Sequence, residues 1–355
     1  SELSEISIPS NIISLLTNSF NQCESLRKVI LPPELKFIGK DVFGGCVSLV
    51  DIQIPESVDI IESNAFQECK SLVEISIPSS IISIESSTFK GCSSLVKMSL
   101  SSSLESIKNS AFEECSSLVE IIIPSTVKSI DDGAFNKCRS LKKIVNNSQQ
   151  TMINENTFSE CSSLTQINIP SSVTLIKKDA FYKCTSLAKI LIPSSVISIS
   201  ESAFNGCNTL SMIKIPLSVE YIGEKTFKDC SSLSKIIFDS QTKISLFDNS
   251  VFYGCSLLKE INIPTSVKSI GNYSFYDCSS LKKINIPSSI TSIGDFSFCE
   301  CSSIKQLNIP SSVTSIGNGS FCRCSSLKKV EIPSSLSAIN NEVFKDCSSL
   351  IKIDI

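Results

Sequence analysis

A phenylalanine returns every 23 residues along this chain, and that period leaves few folds open. The positions are 20, 43, 66, 89, 112, 135, 158, 181, 204, 227, 252, 275, 298, 321 and 344. The step is 23 residues throughout, except between Phe227 and Phe252, where it is 25. Three residues after each Phe comes Cys, from Cys23 to Cys347, and six after comes Leu, with Ile304 as the one substitute. Apolar residues follow at nine and usually at eleven, and then most often Pro. Such self-similarity is the mark of a stacked repeat, in which one unit cannot bury its own apolar face but a column of units can. Phe, Leu and Ile should then form ladders inside the coil.

Local patterning assigns the parts of a repeat. In Leu281-Lys-Lys-Ile284-Asn-Ile286 the apolar residues alternate as a half-buried strand requires, and Pro287 ends it. A second short apolar pair, such as Ile290 and Ile293, follows. Asp295 to Cys301 has room for a single α or 3₁₀ turn that sets Phe298 and Cys301 on one inner side. The expectation is one solenoid over residues 1–355 with about sixteen parallel strands and fifteen Phe-centred repeats, irregular at 145–152 and 238–247. Both termini read as strands without a polar cap, as in a segment of a longer protein.

The copy Leu118-Val-Glu-Ile121-Ile-Ile123-Pro124-Ser-Thr-Val127-Lys-Ser-Ile130-Asp-Asp-Gly-Ala134-Phe135-Asn-Lys-Cys138 resembles the leucine-rich repeats of the BspA-like, Treponema-type family. The resemblance extends over the whole chain. It implies a leucine-rich repeat solenoid, a horseshoe or arc of α/β type, with a parallel sheet on the concave side and short helical or 3₁₀ turns opposite. It also implies a surface protein associated with adhesion, without catalytic residues.

Composition narrows the chemistry. The chain contains no His, which removes the usual general base and a common zinc ligand. It also contains no Gly-rich phosphate loop and no nucleophile elbow, so an enzyme is not expected, and neither is a cofactor or metal. The net charge of −3 gives no general pull toward nucleic acid. The longest apolar runs, such as Ile121 to Ile123, are far too short to span a bilayer.

Fifteen of the seventeen Cys belong to the ladder and read as buried, unreactive thiols. Cys299 and Cys322 are additional, each one residue after its Phe in consecutive repeats. They read either as two exposed thiols or as a disulfide, the latter implying an oxidising compartment. The Cys299/Cys301 and Cys322/Cys324 pairs diverge on a helical turn, which weighs against zinc. Sequons stand at Asn146, Asn272 and Asn318.

The residue eight after each Phe should face outward from the sheet. In the first half this row mixes acids and lysines, as in Glu74, Lys97 and Glu120, beside a row of Val50, Val73, Val96 and Val119. Later it turns basic, with Lys235, Lys283 and Lys329, beside Lys259, Lys282, Lys305 and Lys328. Asn262, Asn285 and Asn308 form a third row. The candidate partner-binding residues are therefore Lys235, Lys259, Lys283, Asn285, Lys305, Asn308 and Lys329, facing an acidic protein or glycan. Lysines that merely keep a sheet soluble are the competing explanation. The basic rows lack interleaved aromatics, which argues against nucleic acid. The expected role is recognition at the cell surface or in a secreted protein; the alternative is a cytoplasmic scaffold in a larger assembly.

Overall fold

The computed structural model describes residues 3–239 and 241–354, in two compact units divided between Val173 and Thr174. Each unit is a parallel β-solenoid in which one 23-residue repeat makes one rung. The first unit carries strands Glu5–Ser7, Lys28–Ile30, Asp51–Ile52, Glu74–Ser76, Lys97–Ser99, Glu120–Ile123, Lys143–Asn146 and Gln166–Ile167 on one side. The second carries Met212–Ile215, Lys235–Phe238, Glu260–Asn262, Lys283–Asn285, Gln306–Asn308, Lys329–Glu331 and Lys352–Asp354, preceded by a single bridge between Lys189 and Met212. Pairing is parallel and in register at the repeat length, as in Glu120↔Lys143, Ile121↔Ile144 and Ile123↔Asn146. A second column of two-residue strands follows the Pro, for example Ser269–Ile270 beside Ser292–Ile293.

The expected ladders form. From Phe43 to Phe321 each repeat Phe is fully buried, and neighbouring rings stack with centroids 5.0–5.9 Å apart in both units. The ladder Leu and the ring of Ile and Val residues complete the interior.

The far side differs from the expectation of helical turns, for among the described residues there is no helix of either kind. The Phe and Cys spacing does bring both inward, but by three successive hydrogen-bonded turns: Ser19 N–H to the Leu16 carbonyl, Asn21 to Asn18, and Cys23 to Phe20. In every repeat the residues two before and two after the Phe have positive φ, as at Ser110 (55°) and Glu114 (62°). Positive φ at the third residue is the signature of a type II turn and cannot propagate a right-handed helix. The remaining N–H groups leave the repeat altogether. Phe112 N–H donates to the Ala134 carbonyl at 2.8 Å and Glu114 N–H to the Asn136 carbonyl at 2.9 Å, one rung on. The turn side is thus a third column of inter-rung hydrogen bonds.

The two irregular stretches both return side chains to the interior. Asn146, Ser148 and Gln150 are buried, and Asn146 is clasped by Asn168 through two hydrogen bonds of 2.9 and 2.5 Å. In the second stretch Ser240 lies outside the described residues. Around it Phe238, Phe247 and Phe252 form an aromatic cluster, and Ile244 returns the chain to the core.

Candidate functional site

The interior must be understood before the surface, because it decides which variable residues are free to act. The ladder Cys from Cys46 to Cys161 and from Cys207 to Cys347 each have a hydrogen-bonding task. Cys138 Sγ donates to the Phe112 carbonyl of the preceding rung at 3.1 Å, and Cys278 Sγ to the Phe252 carbonyl at 3.3 Å. A buried donor needs a partner, and the thiol is small enough to reach one between stacked rings. Burial pushes these thiols up, to about 12 at Cys161 and Cys207, where the hydrogen bond offsets part of the rise. They are framework, not nucleophiles.

Cys299 and Cys322 lie beside this ladder and are joined as a disulfide with Cα atoms 4.6 Å apart. Neither is exposed, at 3% and 5%, unlike the free surface thiols that the sequence also allows. Tyr253 and Tyr276 occupy the same row in the two preceding rungs and stack at 4.8 Å. Among the described residues no group of three or more His, Cys, Asp or Glu is placed to hold a metal ion. A mass count of alkylated thiols checks this arrangement. One adduct (at Cys23, the half-buried free thiol) is expected on the native protein, fifteen after unfolding without reductant, and seventeen after reduction. Seventeen adducts after unfolding without reductant would mean that the pair is open.

The sequons have structural occupations. Asn146 is 1% exposed. Asn249, Asn272 and Asp295 form a ladder of their own: the Asn249 carboxamide oxygen accepts the Asn272 N–H at 2.9 Å, that of Asn272 accepts the Asp295 N–H at 2.8 Å, and the Asp295 carboxylate accepts the Asn318 N–H at 2.6 Å. Gly271, Gly294 and Gly317 precede the later three, and a Cβ at Gly294 would come within 2.7 Å of backbone of the preceding rung.

On the strand face the outward rows form as expected. Glu260 pairs in register with Lys283, Asn262 with Asn285, Gln306 with Lys329, and Asn308 with Glu331. Lys235, Lys259, Lys283, Asn285, Lys305 and Asn308 are all exposed. Lys329 is different. Its ammonium holds Glu331 at 2.7 Å and Asp354 at 3.1 Å, and these carboxylates raise its pKa above the ordinary lysine value. Those two ion pairs compete with any partner for its charge. Lys352 is likewise held by Asp354 at 2.9 Å.

The row just before the strand carries a continuous lysine column. Lys259, Lys282, Lys305 and Lys328 occupy four successive rungs and are all exposed. Lys282 N–H bonds the Lys259 carbonyl at 3.0 Å and Lys328 N–H that of Lys305 at 2.9 Å, which fixes the column. Among the described residues none of the four ammonium groups has a carboxylate within ion-pair distance. Like charges on neighbouring strands destabilise a sheet, so the fold gains nothing electrostatically from this column. In the first unit the same row is Val50, Val73, Val96 and Val119, between 36% and 45% exposed.

A parallel solenoid with one 23-residue repeat per rung and an inward leucine ladder is a leucine-rich repeat protein, a class of generally non-enzymatic interaction modules. Matches to the BspA type leucine rich repeat region cover residues 1–95, 59–188, 151–257 and 245–355, and the chain belongs to that family. It is similar to a leucine-rich repeat protein of Bacteroides ovatus, with 28% identity over 99% of this chain and 86% of the other, at a TM-score of 0.83. It is also similar in fold to a leucine-rich repeat protein of Eubacterium ventriosum, 21% identical over 96% and 92% of the two chains, at a TM-score of 0.56. A leucine rich cell surface protein of Faecalibacterium prausnitzii is 28% identical over 99% and 79%, at a TM-score of 0.49. Among curated proteins none matches the chain.

Proposed function

We propose that the chain is a non-enzymatic recognition solenoid, a cell-surface adhesion module, that takes an acidic partner on the strand face of its second unit. The observation that carries this is the column Lys259, Lys282, Lys305 and Lys328, exposed and without carboxylate partners. A positive stripe of this kind steers an acidic partner and sets the salt dependence of its binding. Lys235 and Lys283 extend it on the adjoining row. The disulfide between Cys299 and Cys322 suits an oxidising compartment. The many free thiols, which would otherwise favour a cytoplasmic scaffold, carry little weight because fourteen of the fifteen are buried.

Binding of poly-L-glutamate tests the reading. With Lys259, Lys282 and Lys305 replaced by Glu, affinity should fall ~10-fold or more, since each exposed charge contact is worth about 0.2–1 kcal/mol and reversal doubles the change. The dependence on salt should flatten at the same time. Lys329→Gln, at a charge already shared between two carboxylates, should change affinity less. Equal binding by the triple variant and the parent would refute the proposal.

A further inference from the structure

The lysine column has a pitch, and the pitch selects among acidic partners. Resting on the acidic-partner reading above, we infer that this partner is a linear anionic polysaccharide, with one carboxylate or sulfate per sugar residue, lying along the stacking direction of the second unit.

The spacing of the column suits a chain of sugars. Successive rungs of a parallel sheet lie about 4.8 Å apart, and Lys259, Lys282, Lys305 and Lys328 place one ammonium on each of four consecutive rungs. A pyranose with its glycosidic oxygen advances a chain by close to one rung, so a polymer with one anion per sugar stays in phase with the lysines, meeting each one where its anions face one side and every second one where successive sugars alternate. An extended peptide does not keep step. Its same-side residues recur at about 6.6 Å, so its acids fall out of phase with the lysines within two rungs. A peptide strand laid across the rungs instead would meet only one or two of the four.

The surroundings of the column are polar. The adjoining outward positions are Glu260, Lys283, Gln306 and Lys329, and beyond them Asn262, Asn285 and Asn308. Amide side chains both donate and accept, which suits sugar hydroxyls flanking an acidic group. Protein partners, by contrast, draw most of their binding energy from aromatic and other large anchors packed into pockets. These rows offer none over the four rungs. The long exposed apolar row, Val50 to Val119, is in the first unit, and within the four rungs of the lysine column these rows hold no exposed large apolar residue.

The column is bounded at both ends. In the lysine row the next rung holds Ile351, 84% exposed, and on the adjoining row Lys329 and Lys352 are drawn into ion pairs with Glu331 and Asp354, which closes the basic stripe at its C-terminal end. The row before Lys259 holds Ser211 and Ser234, which closes the other. The stripe is four rungs long, and a ligand of four acidic residues should fill it.

The test uses the whole chain and galacturonic acid oligomers of two to eight residues, their fully methyl-esterified forms, and oligoglutamates of equal charge. Affinity should rise steeply up to about four acidic sugars, one per ~4.8 Å rung, and level off thereafter. The methyl esters should bind at least about tenfold more weakly, because the charge contacts are lost. Lys282→Gln and Lys305→Gln should each lower affinity for the oligogalacturonates, whereas Lys142→Gln in the first unit should leave it unchanged. These are exposed side chains, so folding is preserved. If oligoglutamates match the oligogalacturonates at equal charge, with the same lysine dependence, the polysaccharide inference is overturned while the acidic-partner reading stands. If neither series depends on these lysines, both fall.

Discussion

Replacing Phe135 with Ala should cost the first unit about 3–5 kcal/mol, the range for removing a fully buried aromatic ring. Phe135 has no exposed surface and stacks between Phe112 at 5.2 Å and Phe158 at 5.7 Å. The substitution therefore leaves a cavity and deletes two aromatic contacts at once, each worth ~0.5–1.5 kcal/mol beyond area burial. Its carbonyl also accepts the Cys161 thiol at 3.2 Å, so a shift of backbone into the cavity would strain the next rung. Rungs touch only their neighbours, and the damage should be local. Hydrogen exchange should show lost protection in the repeats of Phe112, Phe135 and Phe158, with rungs further along the unit less affected. Val119→Ala, at an exposed site in the same unit, is the control and should cost well under about 1 kcal/mol. A loss at Phe135 no larger than at Val119 would mean that the ring column is not what holds the rungs.

The second large effect is alkaline. Stability should decline steadily once pH rises above the ordinary thiol pKa near 9, and most of the decline should come from the cysteine ladder. Cys161 and Cys207 are fully buried, with folded-state values pushed up from 9.0 to about 12. A raised folded pKa means that the native state holds the proton while the unfolded chain gives it up. The stabilising difference is intact below pH 9 and is lost as pH climbs from 9 to 12. Each such thiol contributes a slope of about 1.4 kcal/mol per pH unit in that window, so these two alone give ~3 kcal/mol per unit. Others, among them Cys115, Cys138, Cys255 and Cys278, are raised further by burial and by neighbouring thiols. Urea titrations between pH 7.5 and 10.5 would measure the slope. A Cys161→Ala, Cys207→Ala double variant should show a shallower fall than the parent, and identical slopes would exclude the ladder as the cause.

Much of this fold is legible from the sequence because the period is so strict. Phe, Cys and Leu at fixed offsets determine which side chains face inward, and the residues between them define the outward rows. The turn side is not legible in the same way. Its left-handed positions hold Ser110, Glu114, Lys137 and Asp229 as readily as Gly91 or Gly254, so no turn chemistry flags them. The three-residue step from Phe to Cys fits a helical turn equally well, and only the destination of the N–H groups separates the two. On the candidate surface, the rows were readable but the pairing was not. Lys329 looks like Lys283 in sequence, yet Asp354, one rung away, engages it. The closeness of Cys299 and Cys322 follows from the repeat, whereas their bonding depends on the turn geometry around them.

The turn side has a further physical consequence. In interior rungs three peptide groups point their N–H toward the next rung and their carbonyl toward the one before, as at Lys40–Asp41, Val42–Phe43 and Gly44–Gly45. Peptide dipoles of about 3.5 D that align this way add up, as they do in a helix. Here the sense is reversed relative to an α-helix, because N–H groups lead in the direction of the chain. Within each unit this side is therefore a polar sheet with its positive pole toward the later rungs. An anion there would feel a field from the backbone itself, independent of any charged side chain.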